Sequence, residues 1–132
     1  MDLLERRALL ICTPNPDKRL DYIITLAGHL PNSQGHRRRI ITLRYVPDRD
    51  VLESKAFGEY LDALSTMDWA TPEDLAVTVI TDVNDALVAR WIQVSLSVPE
   101  LHHHAVDTHA VVLEDRQPGW DNVGLLGRLE QI

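Results

Sequence analysis

Ile92-Gln93-Val94-Ser95-Leu96-Ser97-Val98 alternates without a break: the aliphatic residues fall on one side of an extended chain, the glutamine and serines on the other. Side chains of a strand point to opposite faces with a period of two, so this stretch is a strand with one apolar face and one polar face. The apolar face needs a cover, and two amphipathic helices precede it. In the first, Leu52, Ala56, Phe57, Tyr60, Leu61 and Leu64 recur at helical spacing, with Asp50 placed to cap and an end near Met67. The second opens on Thr71-Pro72-Glu73-Asp74. Thr71 is the cap, Pro72 stands at the first helical position, and Asp74 lies three residues after the cap. Its stripe runs through Leu75, Val79, Ile80, Val83 and Leu87 to about Arg90.

Further strands are expected on either side. Leu20 to Leu30 is rich in isoleucine and threonine, and residues 39–46 put Ile41, Leu43 and Tyr45 on one face. Pro31-Asn32-Ser33-Gln34-Gly35 between them reads as a hairpin connection. A fourth strand is expected from about Ala105 to Leu113, after Pro99 stops the third. Residues 1–19, ending in Thr13-Pro14-Asn15-Pro16, read as an extended segment, and residues 116–132 as a tail. The order is strand-strand-helix-helix-strand-strand. That pattern describes one α+β domain over residues 1–132, a four-stranded antiparallel sheet with two helices on one face. The polar outer face suits burial in an assembly.

Composition narrows the partners. The chain has 132 residues, of which 45% are hydrophobic and 25% charged, as in ordinary globular proteins. No apolar run approaches the roughly 18 residues that span a bilayer. Met1-Asp2-Leu3-Leu4-Glu5-Arg6-Arg7 carries acids and lacks the apolar core of a signal peptide. One cysteine, Cys12, excludes an internal disulfide and fits a cytoplasmic location. A net charge of −7 repels phosphate backbones, so nucleic acid is not an expected partner. The cluster His36-Arg37-Arg38-Arg39 is a local exception, either a solvated strand start or a contact for phosphate or an acidic subunit.

Several short pieces resemble a known family. Pro14-Asn15-Pro16 before Asp21-Tyr22, then Tyr45-Val46-Pro47-Asp48, Glu53-Ser54-Lys55, Glu73-Asp74 and Arg90-Trp91 occur in the order and spacing of the queuosine-pathway nitrile reductases, the QueF family of the tunnelling-fold (T-fold) superfamily. The match spans about residues 14 to 98. The resemblance implies a T-fold homo-oligomer binding a purine-, deazapurine- or pterin-like molecule at a subunit interface. Glu73 would accept two hydrogen bonds from the ring's N–H and amino edge, a geometry that two carboxylate oxygens suit. Glu73 is also what a helix dipole favours in a first turn, whatever else it does. The resemblance makes NADPH the family's cofactor and gives Glu53, Ser54 and Lys55 a residual phosphate or subunit contact; otherwise they are helix surface.

The departures weigh against the family's reaction. The reductases place a nucleophilic cysteine and a proton-moving aspartate between the first two strands. Here that turn is Leu30-Pro31-Asn32-Ser33-Gln34-Gly35-His36, with neither. Ser33 without a base is a poor nucleophile toward a nitrile, and Cys12 precedes the matching region. The family's Glu-Ser-Lys-Ser-Leu-Lys becomes Glu53-Ser54-Lys55-Ala56-Phe57-Gly58. Its Arg-Gly-Gly falls on about Leu101-His102-His103, and the histidine before its acid pair is Pro72. Ring binding without ordinary nitrile reduction is the expectation.

His102-His103-His104, with Asp107 and His109, supports a different reading. On a strand His102 and His104 share a face and would chelate one ion; in a turn they are surface. A metal-assisted hydrolase or cyclohydrolase of the same superfamily would carry stoichiometric zinc. A non-catalytic partner of a cysteine-bearing relative would instead form a hetero-oligomer and bind no ligand alone.

Overall fold

The computed structural model describes residues 1–31, 38–99 and 102–129. Along the chain run α1 (Leu3–Ala8), β1 (Cys12–Pro14), β2 (Ile24–Leu30), β3 (Arg39–Val46) and β4 (Asp50–Leu52). They are followed by α2 (Ser54–Ser65), α3 (Pro72–Leu87), β5 (Trp91–Pro99), β6 (Thr108–Arg116) and α4 (Val123–Leu126). The four long strands form an antiparallel sheet in the order β2-β3-β5-β6, with α2 and α3 packed against it. This is the α+β architecture expected from the alternation and the two helical stripes.

The register shows why the periodicities agree. Leu43 lies opposite both Leu26 and Val94, and Val94 opposite Leu113, so one apolar row crosses all four strands. Ile41, Leu43, Tyr45, Ile92, Val94 and Leu96 are buried on that face. Phe57, Tyr60, Leu61 and Leu64 of α2 and Leu75, Val79, Val83 and Leu87 of α3 close over them. Gly28 lets α2 approach the edge strand closely, since a Cβ there would stand 3.2 Å from the tip of Leu61. The opposite face carries the uncharged row Ala27–Thr42–Ser95–Val112 beside the charged row Thr25–Arg44–Gln93–Glu114.

The boundaries differ in instructive places. Residues 1–19 are not extended throughout: Leu3–Ala8 are helical, and the Asp2 side chain accepts from the Glu5 amide at 2.8 Å. Asp50 does not cap α2; it begins β4, which pairs with β1 in the register Cys12↔Leu52 and Pro14↔Asp50. Glu53 occupies the cap position instead, and α2 ends at Ser65. Strand β2 starts at Ile24 rather than Leu20, Pro99 is the last residue of β5 rather than a stop before it, and β6 lies three residues beyond its expected position. The connection Asn32 to Arg37 lies outside the described residues.

Helix α3 begins as its sequence dictates, with the Thr71 hydroxyl accepting from the Asp74 amide at 3.1 Å and Pro72 in the first turn. Its end is less conventional. Val88 sits in the left-handed region at φ 44°, where a β-branched residue is strained. Because its side chain is exposed, Val88→Gly sacrifices little packing. Relief of about 1–2 kcal/mol outweighs the added chain entropy of glycine, about 0.5–1 kcal/mol. A rise in Tm of roughly 2–4 °C is therefore expected by calorimetry; a lower Tm would show that Val88 is unstrained.

Two polar networks tie the layers together. At the centre of α3, Asp82 is 1% exposed and accepts from Arg6 at 2.6 and 3.2 Å, Arg7 at 2.9 Å and the Tyr60 hydroxyl at 2.6 Å. At the end of the sheet where β3 stops and β5 starts, Arg90 reaches Asp21 at 2.8 Å, Asp48 at 3.5 Å and the carbonyls of Lys18 and Leu20. Among the described residues no helix is long and apolar enough to cross a membrane.

Candidate functional site

The other end of the sheet holds a cavity. Where β3 begins and β5 ends, the first turn of α3 leans over the strand ends and leaves a cavity of about 440 Å³. That volume is in the range of small-molecule sites. Trp69, Pro72, Leu75, Val98 and Pro99 make apolar walls, and the indole N–H of Trp69 is fixed on the Leu64 carbonyl at 2.9 Å. Arg39, Thr71, His102 and His109 supply the polar groups. Hydrophobic walls with a few convergent polar groups are the usual composition of a binding pocket.

Glu73 does not line the cavity but touches a residue that does. Its Oε1 contacts the Nε2 of His109, joining the first turn of α3 to β6. The glutamate side chain is 54% exposed in the single chain, so it is not the buried carboxylate that the resemblance implies. Its position is nonetheless determined: Pro72 and Leu75 on either side of it line the cavity, and His109 lines it from across.

Glu53, Ser54 and Lys55 are not brought to this cavity. All three are exposed at the start of α2. Glu53 makes no side-chain capping bond, while its backbone N–H donates to the Ile11 carbonyl at 3.1 Å. Lys55 contacts Glu59 at 3.9 Å and borders a separate open groove beside Ala27, Gly28 and His29. Helix surface accounts for these residues within one chain.

The histidine run is a turn, not a strand. The His103 Nδ1 accepts from the Ala105 amide at 3.1 Å, and the rings of His103 and His104 stack with centroids 4.5 Å apart. His102 and His109 border the cavity, whereas no group of three His, Cys, Asp or Glu side chains suited to a metal ion occurs among the described residues. Asp107 lies in the exposed approach to β6. Ser33, His36, Arg37 and Leu101 are outside the described residues.

Cys12 belongs to the short strand β1, where its thiol donates to the Leu10 carbonyl at 3.5 Å. Burial, with the nearby charges of Asp50 and Glu53, pushes the thiol pKa up. A protonated thiol is a weak nucleophile.

No family model matches the chain, and no curated protein matches it.

The family-like pieces do converge, but on structure. Asn15, Asp21, Tyr22, Asp48 and Arg90 form one cluster at the end of the sheet away from the cavity. In it Asn15 donates to the Asp48 carbonyl at 2.8 Å and the Tyr22 hydroxyl donates to Asn15 at 2.5 Å. Their common task within the chain is holding the segment before β2 against the β3–β4 turn. Sequence reasoning missed Trp69 as a cavity wall. Its signal was position, since an aromatic just before a helix cap sits where a strand end must be covered.

Proposed function

We propose that this protein binds a flat heterocycle of purine, deazapurine or pterin type in the cavity beside the first turn of α3, with Glu73 accepting from the ring's N–H edge. The observation that carries this reading is the contact of Glu73 with His109, which lines an apolar-walled cavity of about 440 Å³. Trp69 and Pro72 supply surfaces on which a ring can lie. In this reading the chain is a divergent T-fold relative of the QueF nitrile reductases. The strand-strand-helix-helix-strand-strand order and the spacing of Glu53-Ser54-Lys55 and Glu73-Asp74 support that kinship.

Ordinary NADPH-dependent nitrile reduction is not part of the proposal. Nucleophilic attack on a nitrile needs a thiolate, and Cys12, the only cysteine of the sequence, is kept protonated by its surroundings. A second copy of the chain fits the same reading. Both β2 and β6 end the sheet with an unpaired edge among the described residues, and such edges are normally covered. A neighbouring subunit would also bring Glu73 out of water.

A thermal-shift series with guanine, 7-deazaguanine and pterin tests the ring site. At ligand concentrations about 100 times Kd, linkage supplies about 2.7 kcal/mol, a shift of roughly 10 °C. Glu73→Ala, an exposed substitution, is expected to leave the unliganded Tm unchanged and to abolish the shift. Equal shifts in wild type and Glu73→Ala would remove Glu73 from the site.

A further inference from the structure

We propose that Arg39 forms an oxyanion-reading subsite inside this cavity, so that the ligand is a ring bearing a carboxylate or phosphate group. The inference rests on the ring-binding reading above and adds the charge of the ligand to it.

Arg39 opens β3 on the same face as Ile41, Leu43 and Tyr45, the face that the helices cover. An arginine there is unusual, because a guanidinium keeps its charge even when burial lowers its pKa, as it does here. Arg6 and Arg7 answer that cost with Asp82 and Arg90 answers it with Asp21 and Asp48, whereas Arg44, on the opposite face of the sheet, has Gln93 at 3.3 Å and a buried Nε without a partner among the described residues. Among the described residues no carboxylate pairs with Arg39. Its exposure to the cavity supplies the missing explanation, since a planar fork of N–H donors matches an oxyanion in two parallel hydrogen bonds.

Thr71 places the start of a 16-residue helix at the edge of the same cavity, where the dipole favours negative charge. Glu73 opposes this, but its carboxylate is engaged with His109 rather than aimed alone into the space. A ligand that donates to Glu73 and offers an oxyanion to Arg39 satisfies both groups. The apolar walls of Trp69, Pro72 and Val98 then take the ring.

Two matched pairs test this on the full chain by calorimetric titration: pterin against pterin-6-carboxylate, and guanosine against guanosine 5′-monophosphate. Inorganic phosphate is titrated as the bare anion. The wild type is expected to bind at least one acidic member about tenfold or more tightly than its neutral partner. Arg39→Gln should erase that preference, so that acidic and neutral members bind alike, with the far-ultraviolet circular dichroism unchanged, and Arg39→Lys should restore part of it. Equal affinities within both pairs, or a preference that survives in Arg39→Gln, overturns the proposal and leaves the ring site standing. Phosphate binding that depends on Arg39, with no binding of either ring, supports the anion subsite and sinks the ring reading. Silence from every compound overturns both.

Discussion

Replacing Asp82 with asparagine is expected to destabilise the protein by about 3–5 kcal/mol, because removing one partner of a buried charge network strands the others. For a chain of this size that corresponds to a fall in Tm of roughly 10–18 °C. Asp82 is 1% exposed, and its two oxygens serve Arg6, Arg7 and Tyr60 at once. An asparagine keeps the volume but presents an amide N–H₂ to guanidinium groups, so at least one arginine faces a donor instead of an acceptor. Burial pushes the Asp82 pKa up, but the hydrogen bonds from Arg6, Tyr60 and Arg7 outweigh it and hold the carboxyl below its ordinary value. The hydroxyl of Tyr60 is raised, first by burial and then by the carboxylate it serves. A depressed folded pKa stabilises above the unfolded value, about 3.9, and that contribution disappears as pH falls through the folded one. Wild type and Asp82→Asn should therefore differ fully near neutrality and converge below about pH 4. Urea unfolding curves across that range decide the matter; a loss under about 1 kcal/mol at neutral pH would make the network ornamental.

The second large effect is expected at Arg90. Its guanidinium gathers two carboxylates and two carbonyls, drawing the Lys18–Asp21 segment against the β3–β4 turn. Arg90→Ala should destabilise by about 2–3 kcal/mol. The effect is smaller than at Asp82 because Asp21 and Asp48 are 25% and 35% exposed and retain Asn122 and Gln117 as donors. Arg90→Lys should recover less than half, since one ammonium cannot span the same acceptors. Limited trypsin digestion gives an independent readout. With the segment released, cleavage after Lys18 and Arg19 should accelerate in Arg90→Ala, whereas an unaltered digestion rate would show that the segment is held by other means.

Much of the scaffold was legible because each long element carried its own period. Strand β3 occupies the residues that alternation assigned to it, and Thr71-Pro72 marked the start of α3 to the residue. The parts that escaped depend on distant partners. Strands β1 and β4 are three residues each, too short for a pattern, and exist because Cys12 meets Leu52 across the chain. Helix α1 has only six residues, below what an isolated helix sustains, and is held by Arg6 and Arg7 on Asp82. One clue lay in the sequence, for Asp82 interrupts the apolar stripe between Val79 and Val83. A charge on a core stripe asks for a buried partner, though not for which one. The cavity was less legible than the scaffold. Glu73 was singled out only through the family resemblance, whereas its contact with His109 and the cavity beside Arg39 required the strands to be in register. Glu53, Ser54 and Lys55 do not line the cavity beside Arg39, and Lys55 borders a separate groove.

The indole of Trp69 also makes the protein its own optical reporter. Trp91 is buried and bonded to Glu114 at 2.8 Å, and Trp120 lies in the turn after β6, so both are remote from the space between α3 and the strand ends. Trp69 alone of the three faces it. Emission from that single fluorophore follows the polarity and quenching of whatever enters, while the other two supply a constant background. Occupancy is thus readable in unlabelled protein, by light, at concentrations far below those needed to watch it melt.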